Sequence, residues 1–124
     1  MEQYIDWSPF KDVYLEDSYV LKIIESEKMV EFHIEAVLLE NHEYYEAPSN
    51  GEQYFFKEGI IRFNQFSEVN WLHSADVKSF DASGESDLGN IDFLTKTGNI
   101  YHLAGDWGEV KISAKSISFK LTLG

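Results

Sequence analysis

Residues 91–123 read IDFLTKTGNIYHLAGDWGEVKISAKSISFKLTL, and this stretch decides the fold class. Ile117, Phe119, Leu121 and Leu123 fall on one side of an extended chain, and Ser116, Ser118, Lys120 and Thr122 fall on the other. A period of two is the pattern of a strand with one buried face. Upstream, Thr97-Gly98-Asn99, then Asp106-Trp107 between two glycines, then Ala114-Lys115 interrupt the alternation at hairpin spacing. Turns at 97–99, 106–107 and 114–115 predict a C-terminal four-strand antiparallel meander. Phe93 then faces Leu103, Leu103 faces Val110 and Tyr101 faces Ile112. Ile112 faces Ile117, and Val110 faces Phe119. All four strands keep an apolar face, which a one-residue slip would turn to solvent. The other face pairs Glu109 with Lys120, and Leu94 is the apolar exception on it.

Outward from the meander, the same reading continues. Val30, Phe32, Ile34, Ala36 and Leu38 alternate with Glu31, His33 and Glu35, and Tyr19–Glu25 is rich in β-branched and aromatic residues. With Ser26-Glu27-Lys28 as a turn, residues 19–39 predict a hairpin. Tyr54–Phe66 and Val69–Leu72 read as two strands broken near Ser67, and residues 1–17 as a cap or first short strand. Residues 41–53, with Pro48, Asn50 and Gly51, and residues 73–90 read as long loops, the places where function concentrates. A chain of 124 residues is one domain by length, so 1–124 is expected to form a single all-β domain, an antiparallel sandwich or flattened barrel.

Composition narrows the function classes. The chain has no cysteine, which removes disulfides, thiolate metal sites and cysteine nucleophiles, and it suits a reducing cytoplasm. Met1-Glu2-Gln3-Tyr4 lacks the basic and apolar regions of a secretory signal, and no apolar run approaches the roughly 20 residues a bilayer needs. The formal net charge is -12, with ten scattered basic residues, so neither nucleic acid nor an anionic membrane is an expected partner. The acidity serves solubility, or it presents an acidic face to a basic protein partner. An exposed sheet edge would also let two copies pair as a homo-oligomer.

No residue pattern marks an active site. His33, His42, His73 and His102 have no zinc-motif spacing, so no metal and no cofactor are expected. His33 between Glu31 and Glu35 reads as an acidic surface stripe. Asp81-Ala82-Ser83-Gly84-Glu85-Ser86-Asp87 places oxygen side chains at alternate positions, but its Gly falls at the fourth place of the loop, where an EF-hand needs it at the sixth. The 81–92 segment therefore reads as a polar loop before a cation site. Gly105-Asp106-Trp107-Gly108 reads as a turn with Trp107 at its tip. Trp107 either folds back over the sheet or stands out as a partner anchor. Tyr44 and Tyr45 beside Pro48 are the other exposed aromatic candidates, and Asp106, Trp107, Tyr44 and Tyr45 make up the candidate partner-binding set. No catalytic residue is assigned.

Three segments, HEYYEAPSNGEQYFFKEGIIRF (42–63), DASGESDLGNIDFL (81–94) and YHLAGDWGEVKIS (101–113), together resemble a family of small, acidic, uncharacterised bacterial β-sheet proteins, a domain of unknown function. Size and acidity are also similar to those of toxin-immunity proteins. The resemblance implies a bacterial cytoplasmic β-protein and carries over no catalytic residue. The expected function is non-catalytic binding of a protein partner, immunity-like. The alternative is an enzyme or small-ligand binder using carboxylates in a pocket between the sheets.

Overall fold

The structure is a computed structural model that describes residues 1–49, 51–74 and 88–122. Its strands are β1 (Glu2–Gln3), β2 (Val13–Glu25), β3 (Val30–Leu38), β4 (Phe55–Ser74), β5 (Gly89–Thr97), β6 (Ile100–Gly105) and β7 (Gly108–Leu121). Two short 3-10 turns, Tyr4–Asp6 and Ser8–Phe10, join β1 to β2. All pairings are antiparallel and run β2-β3-β4-β7-β6-β5. β5 then returns to β2 through Tyr19↔Asn90 and Val20↔Gly89. The result is a closed six-strand barrel with β1 as one outer strand. The predicted all-β antiparallel class holds, and the architecture is a barrel, not a two-sheet sandwich.

β3 shows the cleanest link from sequence to core. Val30, Phe32, Ile34, Ala36 and Leu38 are all buried, because each alternate position points inward. A tight Ser26-to-Met29 turn, closed by a 2.8 Å backbone bond, joins β3 to β2 and keeps Glu25 opposite Val30. β2 starts earlier than its alternation suggests, because residues 15–18 bulge out against a single β3 residue between Tyr14↔Val37 and Tyr19↔Glu35. The side chains there supply the bonds that the ladder loses. The Ser18 hydroxyl donates to the Tyr14 carbonyl at 2.7 Å and accepts the Val37 N–H at 2.9 Å. The Leu15 N–H donates to the Tyr4 hydroxyl, which itself donates to Glu16.

The C-terminal segment departs from the four-strand prediction. Asp106-Trp107 is a two-residue turn, and Leu103↔Val110 and Tyr101↔Ile112 pair across it. The first turn is shorter than expected. Thr97 pairs with Ile100 around Gly98-Asn99, and Gly98 takes the positive φ (63°) that a hairpin of this kind needs. A shift between Ile91 and Phe93 then sets Phe93 opposite Ala104 and Leu94 opposite Leu103, so Leu94 is buried. At Ala114-Lys115 the structure has no turn. β7 is one strand of 14 residues, so there are three strands here and not four. Ile112↔Ile117, Val110↔Phe119 and Glu109↔Lys120 do not form; Ile117 and Phe119 pair with Phe63 and Ile61 of β4.

The cause is a phase change shared by β4 and β7. Inward residues run Val110, Ile112, Ala114 and then Ile117, Phe119, Leu121. Opposite, β4 changes phase between Phe63 and Phe66, with Gln65 at φ 52° and a register shift between Phe66 and Glu68. The expected break near Ser67 is this bulge inside one 20-residue strand. Two strands bending together turn a barrel corner. Leu123 and residues 81–87 of the oxygen-rich loop lie outside the described residues.

Trp107, Phe10, Phe32, Phe63 and surrounding aliphatic residues fill the interior. A six-strand barrel is narrow enough for side chains to close it.

Candidate functional site

The outer wall of β2, β3 and β4 carries the most distinctive surface. Outward positions there form two cross-strand rows, Tyr14–Val37–Phe56 and Tyr19–Glu35–Glu58. Tyr54, just before β4, joins them. The rings touch in sequence: Tyr14–Tyr54 at 6.1 Å, Tyr54–Phe56 at 6.2 Å and Tyr19–Phe56 at 6.0 Å between centroids. Beneath them Val37 is fully buried although it faces outward, so the aromatic cluster acts as a lid over the wall. The β2 bulge places Asp17 to accept the Tyr54 hydroxyl at 2.7 Å. That bond, then burial and the Asp17 charge, raise the Tyr54 pKa and keep the hydroxyl a donor.

The loop before β4 completes a recess over this cluster. Glu46, Pro48, Ser49, Glu52 and Gln53 line it together with Tyr54, Phe56 and Glu35 of β3; its volume is about 560 Å³. A second recess of about 480 Å³ shares Glu35 and Phe56 and extends to Lys57, Glu58 and Thr122. Four glutamates, one lysine and the aromatic residues Tyr54 and Phe56 therefore line the two adjoining recesses. They could receive a cation by charge and by ring faces together.

The four sequence candidates do not form one site. Tyr44 is 43% exposed and lines a separate recess with Pro9, His42, Phe119, Lys120 and Leu121. Tyr45 is half-buried, edge-on to Phe55 at 5.9 Å. Asp106 is exposed beside Gly89 and accepts the Asn90 N–H at 3.5 Å. Trp107 is 1% exposed, so it folds inward and presents no surface anchor. Its ring meets Phe32 at 5.1 Å and Trp71 at 6.0 Å, and its indole N–H donates to the Asn90 carbonyl at 3.0 Å. Gly105 makes this fit, since a Cβ there would lie 2.4 Å from the indole nitrogen. Sequence reasoning missed Glu35, Glu46 and Glu52 as site residues. The signal was available only as register: Glu35 sits one outward step from Val37, opposite Glu58.

Two other polar clusters lie on outward positions. Glu31 is 4% exposed yet ionised. Burial pushes its pKa up, but hydrogen bonds from Arg62 (Nε at 2.6 Å) and His33 (Nε2 at 3.1 Å), with their charges, bring it below the usual carboxylate value. On β7, Glu109 takes His102 at 2.6 Å on one oxygen and His73 at 3.7 Å on the other. Among the described residues, no group of His, Asp and Glu is arranged to hold a metal ion. Among them also, no helix is long and apolar enough to cross a membrane. Among the described residues, the core cluster is apolar.

Compared with known proteins, the chain matches no family model, no curated protein and no solved structure.

Proposed function

We propose that this domain is a non-catalytic binding protein whose acidic outer wall receives a basic protein partner. The observation that carries the reading is the recess lined by Glu46, Glu52, Tyr54 and Phe56 on the outer wall, away from the apolar core cluster. An active site needs converging groups around reacting atoms. This surface offers carboxylates and ring faces, which suit recognition. The net charge of -12 adds long-range attraction for a basic partner. The resemblance to small acidic bacterial β-proteins extends the proposal to a bacterial cytoplasmic setting and an immunity-like role.

Immobilised protein exposed to a bacterial lysate at low salt, with bound proteins identified by mass spectrometry, tests this. The expected result is a basic protein retained in stoichiometric amount and released as salt rises, because screening weakens exposed charge pairs. Retention of no basic protein in stoichiometric amount counts against the reading.

A further inference from the structure

Resting on that reading, we infer that the recess is a seat for an arginine side chain, presented by an extended basic segment of the partner. Charge complementarity sets the sign of the ligand. Glu46, Glu52 and, in the adjoining recess, Glu58 are exposed, both recesses are lined by Glu35, and among the described residues Lys57 is the only base lining either. The aromatic lining sets its shape. Tyr54 and Phe56, both lining the recess, meet nearly perpendicular at 89°. A planar guanidinium can stack on one ring face while its edge pairs bidentately with a carboxylate. An ammonium can also sit over a ring face, but it neither stacks flat on it nor pairs bidentately with a carboxylate at its edge. The two recesses share Glu35 and Phe56, so a segment leaving the first meets Glu58 next. An anion is repelled here, and a wholly apolar segment would desolvate Glu46 and Glu52 without a compensating partner.

The experiment uses the full chain and fluorescence anisotropy with a labelled peptide of alternating arginine and glycine. Two comparison peptides carry lysine or citrulline in place of arginine; citrulline keeps the planar shape and drops the charge. The protein variants are Glu46→Gln with Glu52→Gln, Phe56→Leu, and a remote acidic control, Asp92→Asn with Glu109→Gln. Circular dichroism confirms that each is folded. Expected results are arginine-peptide binding that falls about tenfold or more in the Glu46/Glu52 variant and less than about twofold in the remote control. Phe56→Leu should weaken the arginine peptide more than the lysine peptide, and the citrulline peptide should not bind.

Equal losses from the near and remote variants would show diffuse attraction and overturn the seat, while leaving the acidic-face reading standing. Equal losses of arginine and lysine peptides in Phe56→Leu would overturn the stacking role. Absence of peptide binding by the wild type overturns the seat outright. If a basic protein is still retained from lysate in that case, the broader reading survives alone.

Discussion

Trp107 shows how much one residue can turn on its surroundings. A tryptophan at a hairpin tip reads equally as an anchor or as a plug. Here Gly105 leaves the space, and the Asn90 carbonyl accepts the indole N–H, so the ring closes the barrel end against Phe32 and Trp71. Trp107→Ala should therefore cost about 3–5 kcal/mol of stability, the range for emptying a buried aromatic site. Chemical denaturation measures it, and a loss below about 1 kcal/mol would be inconsistent with the buried ring. Glu31 gives a pH prediction. Its pKa is lower in the folded protein than the model-peptide value of 4.5. The native state thus binds fewer protons, and stability from this group is present above that value and lost as pH falls through the folded pKa. Glu31→Gln should flatten the acid limb of stability against pH below about 4.5, measured by denaturant titration at successive pH values.

At the scale of elements, β3 was legible and the partner strands of the corner were not. Alternation identified every inward residue of β3, because a regular strand maps odd and even positions to opposite faces. The step from Ala114 to Ile117 broke the alternation in β7, and a break of phase is the same in sequence whether the chain reverses or bends. The structure bends, with Gln65 on β4 taking the left-handed backbone conformation opposite. That conformation costs a non-glycine residue on the order of 1 kcal/mol. Gln65→Gly should therefore leave stability unchanged or raise it by up to about 1 kcal/mol, although glycine loses more entropy on folding. Gln65→Val should lower it by about 1–2 kcal/mol, since a β-branched residue resists this φ. Thermal melts of the pair test the corner directly; a Val variant as stable as the Gly variant would contradict it.

For the whole molecule, charge is the dominant feature outside the core. A net charge of -12 on 124 residues repels itself in the compact state. Raising ionic strength from about 0.01 M to 0.15 M shortens the screening length from roughly 30 Å to 8 Å. The melting temperature should rise over that interval and change little more in higher sodium chloride. A fall would mean that attractive charge pairs outweigh the repulsion. A basic partner of the kind proposed would relieve the same repulsion on binding.

The sequence alone determined that the chain is all-β and antiparallel, which face of β3 is inside, where the Asp106-Trp107 turn lies and that the surface is strongly acidic. These follow from composition and from periods of two, which are local. Tertiary structure decided that the sheet closes into a barrel, that the 114–115 break is a corner, that Trp107 is a plug, and that Glu35, Glu46 and Glu52 line one recess with Tyr54 and Phe56. Each of these depends on which strand lies beside which. Closure needs β5 to meet β2 some 70 residues away in sequence, through Val20↔Gly89. The recess needs residues 46–49 and 52–53 laid against a wall built by β3 and β4. Local pattern records which way a side chain points, but only the completed ladder fixes what it points at.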